Sequence, residues 1–277
     1  MIFPKCTTGY SKLISNDLQI TGRANLTFTQ SRYDKYEEPD YPGEPWRKKA
    51  GTLINQQFGY LAERLFTDDQ EARNSPPQQF ASGTSLPLGG DIKYRDINGD
   101  GQINLSDQVA IGYPTVPQIT YGFGVTVRYK ALDLSTFFQG NAKVSFFINP
   151  SLVSPFINNT QLLKAFADNH WSESNQNQYA EYPRSGVTSA VINNNLQQSS
   201  WWLRDGSFLR LKTVELGYSF PAKWLEKYHL SNCRFYVSGL NLLTFSSFKD
   251  WDVEQGGNAF AYPIQKVINA GIYININ

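Results

Sequence analysis

The sequence has only two cysteines, Cys6 and Cys233, too far apart for a metal-ligand pattern or a disulfide framework. Histidine is as scarce: His170 and His229 have no Ser or Cys nucleophile elbow, no H-E-x-x-H and no carboxylate pattern beside them, and read as surface or loop residues. The usual carriers of hydrolytic chemistry are missing, so the chain is expected not to be an enzyme. Net charge is also missing: 25 basic against 24 acidic residues leave +1, without the basic footprint of a nucleic-acid binder. No apolar run approaches the roughly 20 residues of a membrane-spanning helix, and the amino terminus shows no charged segment followed by an apolar signal core. A spanning helix is excluded; a spanning barrel is not. Barrel strands are polar at every second residue, so a mean hydropathy of −0.42 is compatible with lipid.

Aromatic residues are plentiful, with 16 Tyr, 18 Phe and 6 Trp in 277 residues, a mix that favours strands and membrane interfaces over helix bundles. Strict two-residue periodicity runs from Leu18 to Phe28, where Leu18, Ile20, Ala24, Leu26 and Phe28 oppose Gln19, Thr21, Arg23, Asn25 and Thr27. It recurs from Ile119 to Tyr129, and a tight turn at Lys130–Ala131 predicts a hairpin into 132–140. Further strands are predicted at 209–220, 233–244 and 267–277, with a weaker one over 53–66. Leu209 and Leu211 lie out of phase with Val214, Leu216 and Tyr218, which predicts a bulge near Lys212.

The connections alternate in length. Short links at 130–131 and 221–232 contrast with long polar stretches at 67–118, 141–207 and 245–265, unusual in a compact soluble domain. Outer-membrane barrels have short periplasmic turns and long external loops, and that rule sends strand 119–129 inward, 132–140 outward and 267–277 inward. Several strands approach or exceed ten residues, and Tyr121, Tyr129, Tyr218, Phe220 and Trp224 gather near strand ends as interface girdles do. The expected fold is all-β: about seven strands of a larger antiparallel transmembrane β-barrel with long extracellular loops. The alternative is a soluble sandwich with one buried face, namely a secreted, calcium-stabilised glycan-binding domain.

Gly90–Gly101 (GDIKYRDINGDG) followed by Ile111–Pro117 (IGYPTVP) resembles a signature of the SusC/RagA family of TonB-dependent transporters. Tyr121–Gly124, the Leu132–Gly140 stretch ending in Phe-Phe-Gln-Gly, Trp202–Lys212, Val214–Tyr218, Val237–Phe245 and Tyr262–Pro263 follow in family order, and Phe58–Glu63 fits upstream. The resemblance covers roughly residues 18–277. It implies a plugged barrel of roughly 22 strands in the outer membrane of a Gram-negative, Bacteroidota-like bacterium. It also implies energy from TonB, a SusD-like surface lipoprotein over the mouth, and oligosaccharide or peptide cargo. On this reading residues 1–277 are the carboxy-terminal barrel segment of such a transporter, a fragment without signal peptide, TonB-contacting segment, plug or the preceding strands.

One loop overlays a calcium-binding pattern, with Asp96, Asn98, Asp100, Gln102, Asn104 and Asp107 at alternating ligand positions and Gly101 at the sharp turn. The competing reading is an Asx-turn whose side chains bond their own backbone, since Asp107 stands where a bidentate Glu is usual and no helices flank the loop. Trp171, Trp201, Trp202 and Trp251 fall in or beside the predicted external loops. Indole faces stack on sugar rings, which makes these four candidate substrate residues together with the amide-rich stretches near 157–161, 175–178 and 193–198; packing of loop against loop is the alternative. Gly122-Phe123-Gly124 lacks the third glycine and helix of a dinucleotide site and reads as small residues facing a barrel lumen.

Overall fold

The computed structural model describes residues 5–80, 83–157 and 161–276. Seven strands lie side by side in chain order in one antiparallel sheet: β1 (Lys5–Ser15), β2 (Leu18–Phe28), β3 (Ile119–Tyr129), β4 (Leu132–Ala142), β5 (Phe208–Ser219), β6 (Leu230–Ser246) and β7 (Val267–Ile276). Nearest-neighbour antiparallel order follows from the links at one end, which are too short for a crossover. Those links, 16–17, 130–131 and 220–229, all lie at the same end, and the three long connections leave from the other.

Register carries the alternation across the sheet. Ile20 pairs with Val127, Val127 with Leu134, Leu134 with Leu216, Leu216 with Val237 and Val237 with Ala270, so one face is a continuous apolar band. The opposite face carries Gln19, Arg128, Asp133, Gly217, Tyr236 and Gly271 in the same way. The β4–β5 ladder skips Lys212, between the pairs Phe137–Thr213 and Phe138–Leu211, and the β5–β6 ladder slips at the same place. The predicted bulge is there, and it lets Leu209 and Leu211 share the apolar face with Val214 and Leu216.

The apolar band is uncovered. Val125 is 44% exposed, Leu216 52% and Ile272 61%, and no second sheet lies over them among the described residues. Covering such side chains releases roughly 1.5–3 kcal/mol each, so a whole strand face left bare in water is a standing deficit. Lipid tails remove that deficit; the sandwich alternative would need a second layer, which the described residues do not form.

The hydrophobic core lies elsewhere. Tyr60, Leu65, Ile92, Tyr94, Ile148, Phe166, Tyr182, Trp202 and Phe248 pack together, and every member of this cluster except Phe208, the first residue of β5, comes from the three long connections. The long polar connections expected from the sequence are present, and they pack against one another into a compact cap. The predicted strand over 53–66 is corrected here: its residues form two short strands, Gln57–Gly59 paired with Val109–Ile111 and Ala62–Leu65 paired with Ile92–Tyr94, both inside the cap. The seventh strand of the sheet is β1 instead. Its apolar-face positions read Cys6, Thr8, Tyr10 and Lys12, too mixed for periodicity to reveal.

Candidate functional site

Three regions carry polar chemistry: the inner face of the wall, the interior of the cap, and a groove on the cap surface. On the inner face, Arg234 of β6 reaches across β5 to Asp133 of β4, with Nε 3.1 Å from Oδ1, and also bonds Glu215 at 2.7 Å. The guanidinium lies directly over Gly217, where an added Cβ would stand 2.2 Å from Nη2, so the glycine is what opens the crossing. One arginine thereby ties three strands, with both carboxylates as charge-assisted acceptors. Beside it is a basin of about 570 Å³ whose walls include Arg128, Thr126 and Ser135.

Higher on the same face the Phe137 ring lies on two glycines: a Cβ at Gly122 or Gly124 would fall 2.9 Å from it. Arg23 also sits over that ring, 5.0 Å from its centroid. The alternation of glycine and aromatic residues in Tyr121–Gly124 and Phe137–Gly140 is therefore a packing code between neighbouring strands. Near the cap, Arg210 is 2% exposed and bonds Asp252 at 2.7 Å and Glu254 at 3.0 Å, fastening the β6–β7 connection to the wall.

Inside the cap, Asp91 is fully buried and accepts from Arg184 Nε at 2.8 Å, Asn195 Nδ2 at 2.9 Å and the Leu88 amide at 2.9 Å. Burial pushes its carboxyl above the ordinary range, and the Arg184 charge opposes that rise. Asn194 and Gln78 extend the network, Gln78 Nε2 donating to Asn194 Oδ1 at 2.5 Å. Together they join the β2–β3 connection to the β4–β5 connection. Glu71 has the opposite environment: Arg64 first, then the Thr67 amide and Lys93, hold its carboxyl well below the usual carboxylate range against the cost of burial.

The loop 96–107 spends its oxygens on its own backbone. Asp96 accepts from Gly99 and Gly101, Asn98 from Asp100, Asp100 from Gln102 and Asn104 from Ser106. Asp107 is fully buried and accepts from Ile97 and Asn104 at 2.8 Å, closing a capping box with Asn104 around the short helix Leu105–Asp107. Gln102 contributes its backbone amide to this turn. The geometry is that of the Asx-turn reading, and no group of three or more His, Cys, Asp or Glu among the described residues is disposed to hold a metal ion.

The four tryptophans are cap-core residues. Trp202 is completely buried, with Nε1 donating to Asn195 O at 2.7 Å, and Trp171 is 7% exposed with its ring pressed against Gly90. Trp201 and Trp251 are half-buried against the same cluster and donate to Glu181 O and Gly256 O. Neither Trp171 nor Trp202 offers a free face to a sugar ring, because the long connections bury each other's aromatics. Of the amide-rich stretches, 193–198 supplies the buried network, Asn175 and Asn177 bond locally while Gln178 bonds Leu65 and Thr67 across the cap, and 158–160 lie outside the described residues. His170 stacks on Phe166 with Nδ1 3.0 Å from its carbonyl oxygen, and His229 caps the link after β5.

The sequence reading missed a groove of about 640 Å³ where the β2–β3 connection meets the β4–β5 connection, with Arg47, Lys49, Gln56, Phe58, Phe147 and Gln198 among its lining. Those residues are scattered over the chain, and no local spacing links them.

No family model matches the chain. Among curated proteins, TonB-dependent receptor P3 of Formosa agariphila is 37% identical over 209 residues, 74% of this chain and 19% of that receptor. TonB-dependent receptor P26 of the same organism is 33% identical over 70% of this chain and 20% of its own length. TonB-dependent receptor SusC of Bacteroides thetaiotaomicron is 26% identical over 86% of this chain and 22% of its own length. Among solved structures, the RagAB peptide transporter superposes with a TM-score of 0.68 at 18% identity, covering 98% of this chain and 28% of that one, a likeness of fold. The chain spans about a fifth of the length of the curated relatives it matches.

Proposed function

This chain is homologous to the SusC/RagA-type TonB-dependent receptors over about a fifth of their length, and we infer that it is the carboxy-terminal stretch of the barrel wall and external cap of such a receptor. The whole receptor imports large nutrients, oligosaccharide or peptide, across the outer membrane of a Gram-negative bacterium. Its wall makes and breaks no bonds; it gives lipid an apolar outer face and cargo a polar inner one. The work comes from TonB acting on parts of the receptor outside this stretch, and a SusD-like surface lipoprotein covers the mouth.

The observation that carries this reading is the division of apolar surface. The wall leaves its whole apolar face outward and bare, while the interior packing belongs to the cap. A water-soluble domain of the same composition would bury that face. The open sheet has the same implication, since an uncompleted strand edge is not tolerated in lipid and β1 and β7 each pair on one side only among the described residues. These edges fit a wall completed by further strands.

The test is fractionation combined with growth. The receptor carrying this segment should sediment with outer membranes, resist extraction by alkaline carbonate and require detergent for solubility. Its deletion should abolish growth on a large oligosaccharide or peptide mixture while growth on the corresponding monomers persists. Recovery of the intact protein in the soluble fraction refutes the reading.

A further inference from the structure

We propose that the groove between the β2–β3 and β4–β5 connections binds an anionic oligosaccharide, one whose sugar rings carry carboxylate or sulfate groups; this rests on the import reading above. The groove holds about 640 Å³, within the range of small-molecule sites, and no Asp or Glu lines it, whereas Arg47 and Lys49 do. Arg47 shares its charge with Glu44, so the cation left without an ion-pair partner at this concave surface is Lys49, and it favours negative charge.

The two cations are held differently. Arg47 is pre-set: Nη1 bonds Glu44 at 2.6 Å and Ser106 Oγ at 3.2 Å, and the guanidinium lies over the Tyr41 ring at 4.5 Å. That leaves Nε and Nη2 to meet a planar anionic group with little ordering cost. Lys49 is exposed, its Nζ sits 5.2 Å from the Tyr36 ring and makes no ion pair among the described residues; the nearby Glu38 carboxylate is spent on the backbone amides of Lys49 and Ala50, which leaves the ammonium free to turn toward a ligand.

The uncharged lining suits sugar hydroxyls. Gln56 Nε2 is spent on the carbonyls of Gln57, Ile111 and Gly112, which leaves its Oε1 to accept from a hydroxyl. Gln198 is exposed, and Phe58 and Phe147 are half-buried, so each keeps part of a ring for the apolar face of a pyranose. A bound peptide would instead seek a free strand edge. The strand Gln57–Gly59 is paired with Val109–Ile111, and the next residue, Tyr60, already bonds Gln198 O and the Ser200 amide.

The experiment uses the intact receptor in detergent micelles and measures equilibrium binding of three probes of equal length: an oligogalacturonate, a neutral maltooligosaccharide and a poly-glutamate peptide. The oligogalacturonate should bind saturably, weaken as salt rises, and lose about tenfold in affinity in Lys49→Glu, which reverses one charge beside the ligand. Gln198→Ala should weaken it without changing its salt dependence. Both substituted side chains are exposed, and an unchanged unfolding midpoint confirms that the fold is intact. Equal binding of the neutral probe, preference for the peptide, or indifference to Lys49→Glu overturns the proposal. Loss of groove binding with growth and membrane localisation intact would count against the groove alone; a receptor absent from the outer membrane would remove the import reading beneath it.

Discussion

Gly140 of β4 stands opposite Tyr121 of β3, and the phenol lies across it to donate to the carbonyl oxygen of Phe208 on β5 at 3.1 Å. An alanine Cβ at position 140 would fall 2.4 Å from that carbonyl oxygen and 2.4 Å from Tyr121 Cζ. The ring can swing aside, forfeiting its hydrogen bond at about 1 kcal/mol. The carbonyl belongs to a strand paired on both sides and cannot retreat without opening a ladder, an overpacking strain of about 1–3 kcal/mol. Gly140→Ala should therefore cost about 2–4 kcal/mol in all. Tyr121→Phe should cost only about the hydrogen bond, and Tyr121→Ala should relieve Gly140→Ala in part, because the clash with the backbone survives. Urea unfolding of the receptor in micelles, run on the three single variants and the Gly140→Ala/Tyr121→Ala double, separates the terms. A Gly140→Ala midpoint equal to that of the unaltered receptor, or complete rescue by Tyr121→Ala, would refute the packing argument.

Val125→Arg, on the apolar face midway along β3, should cost about 2–4 kcal/mol in a bilayer, whereas Thr126→Arg on the inner face should be nearly neutral; unfolding midpoints in lipid vesicles compare the two. Trp202→Ala removes a completely buried side chain from the cap and should cost about 3–5 kcal/mol there, seen as faster proteolysis of the cap with the wall still protected. The depressed carboxyl of Glu71 sets a pH dependence. Because its folded value lies below its unfolded one of about 4.3, the stabilisation it confers is complete above that value and is lost as pH falls through it toward the folded value. Amide hydrogen exchange in the helix Asp69–Asn74 should thus accelerate on acidification relative to neutral controls, and Glu71→Gln should remove the pH dependence.

The wall was legible because period-two alternation is a local signal. Leu18–Phe28 and Ile119–Tyr129 begin and end where the periodicity does, and the phase slip at Lys212 is visible in sequence since a bulge shifts the face of every following residue. Strand ends blur elsewhere: β6 runs from Leu230 to Ser246 against a predicted 233–244, its first residues held by pairing with β7 and its last by pairing with β5 instead of by composition. β1 escaped because Thr8 and Lys12 interrupt its apolar face, near an end of the wall where lysine reaches headgroups. The cap was not legible, because its order arises from contacts between distant segments. Ile92 bonds Asn195 across 103 positions and Gln57 bonds Ser145 across 88. The same holds for the tryptophans, whose position in loops said nothing of which face would be buried, and for the groove, whose lining meets only after the cap has closed.

The central claim is that the apolar face of the wall meets lipid. Spin labels placed singly at Val125, Leu216 and Val237, and at their inward neighbours Thr126, Glu215 and Ser238, in the receptor reconstituted into vesicles, test it most directly. Relaxation by oxygen, which concentrates in lipid, should be strong at the first three and weak at the second three, and relaxation by a water-soluble nickel chelate should be negligible at the first three. Labels at 125, 216 and 237 that respond to the chelate, or that are shielded from both agents as in a protein interior, would contradict the account.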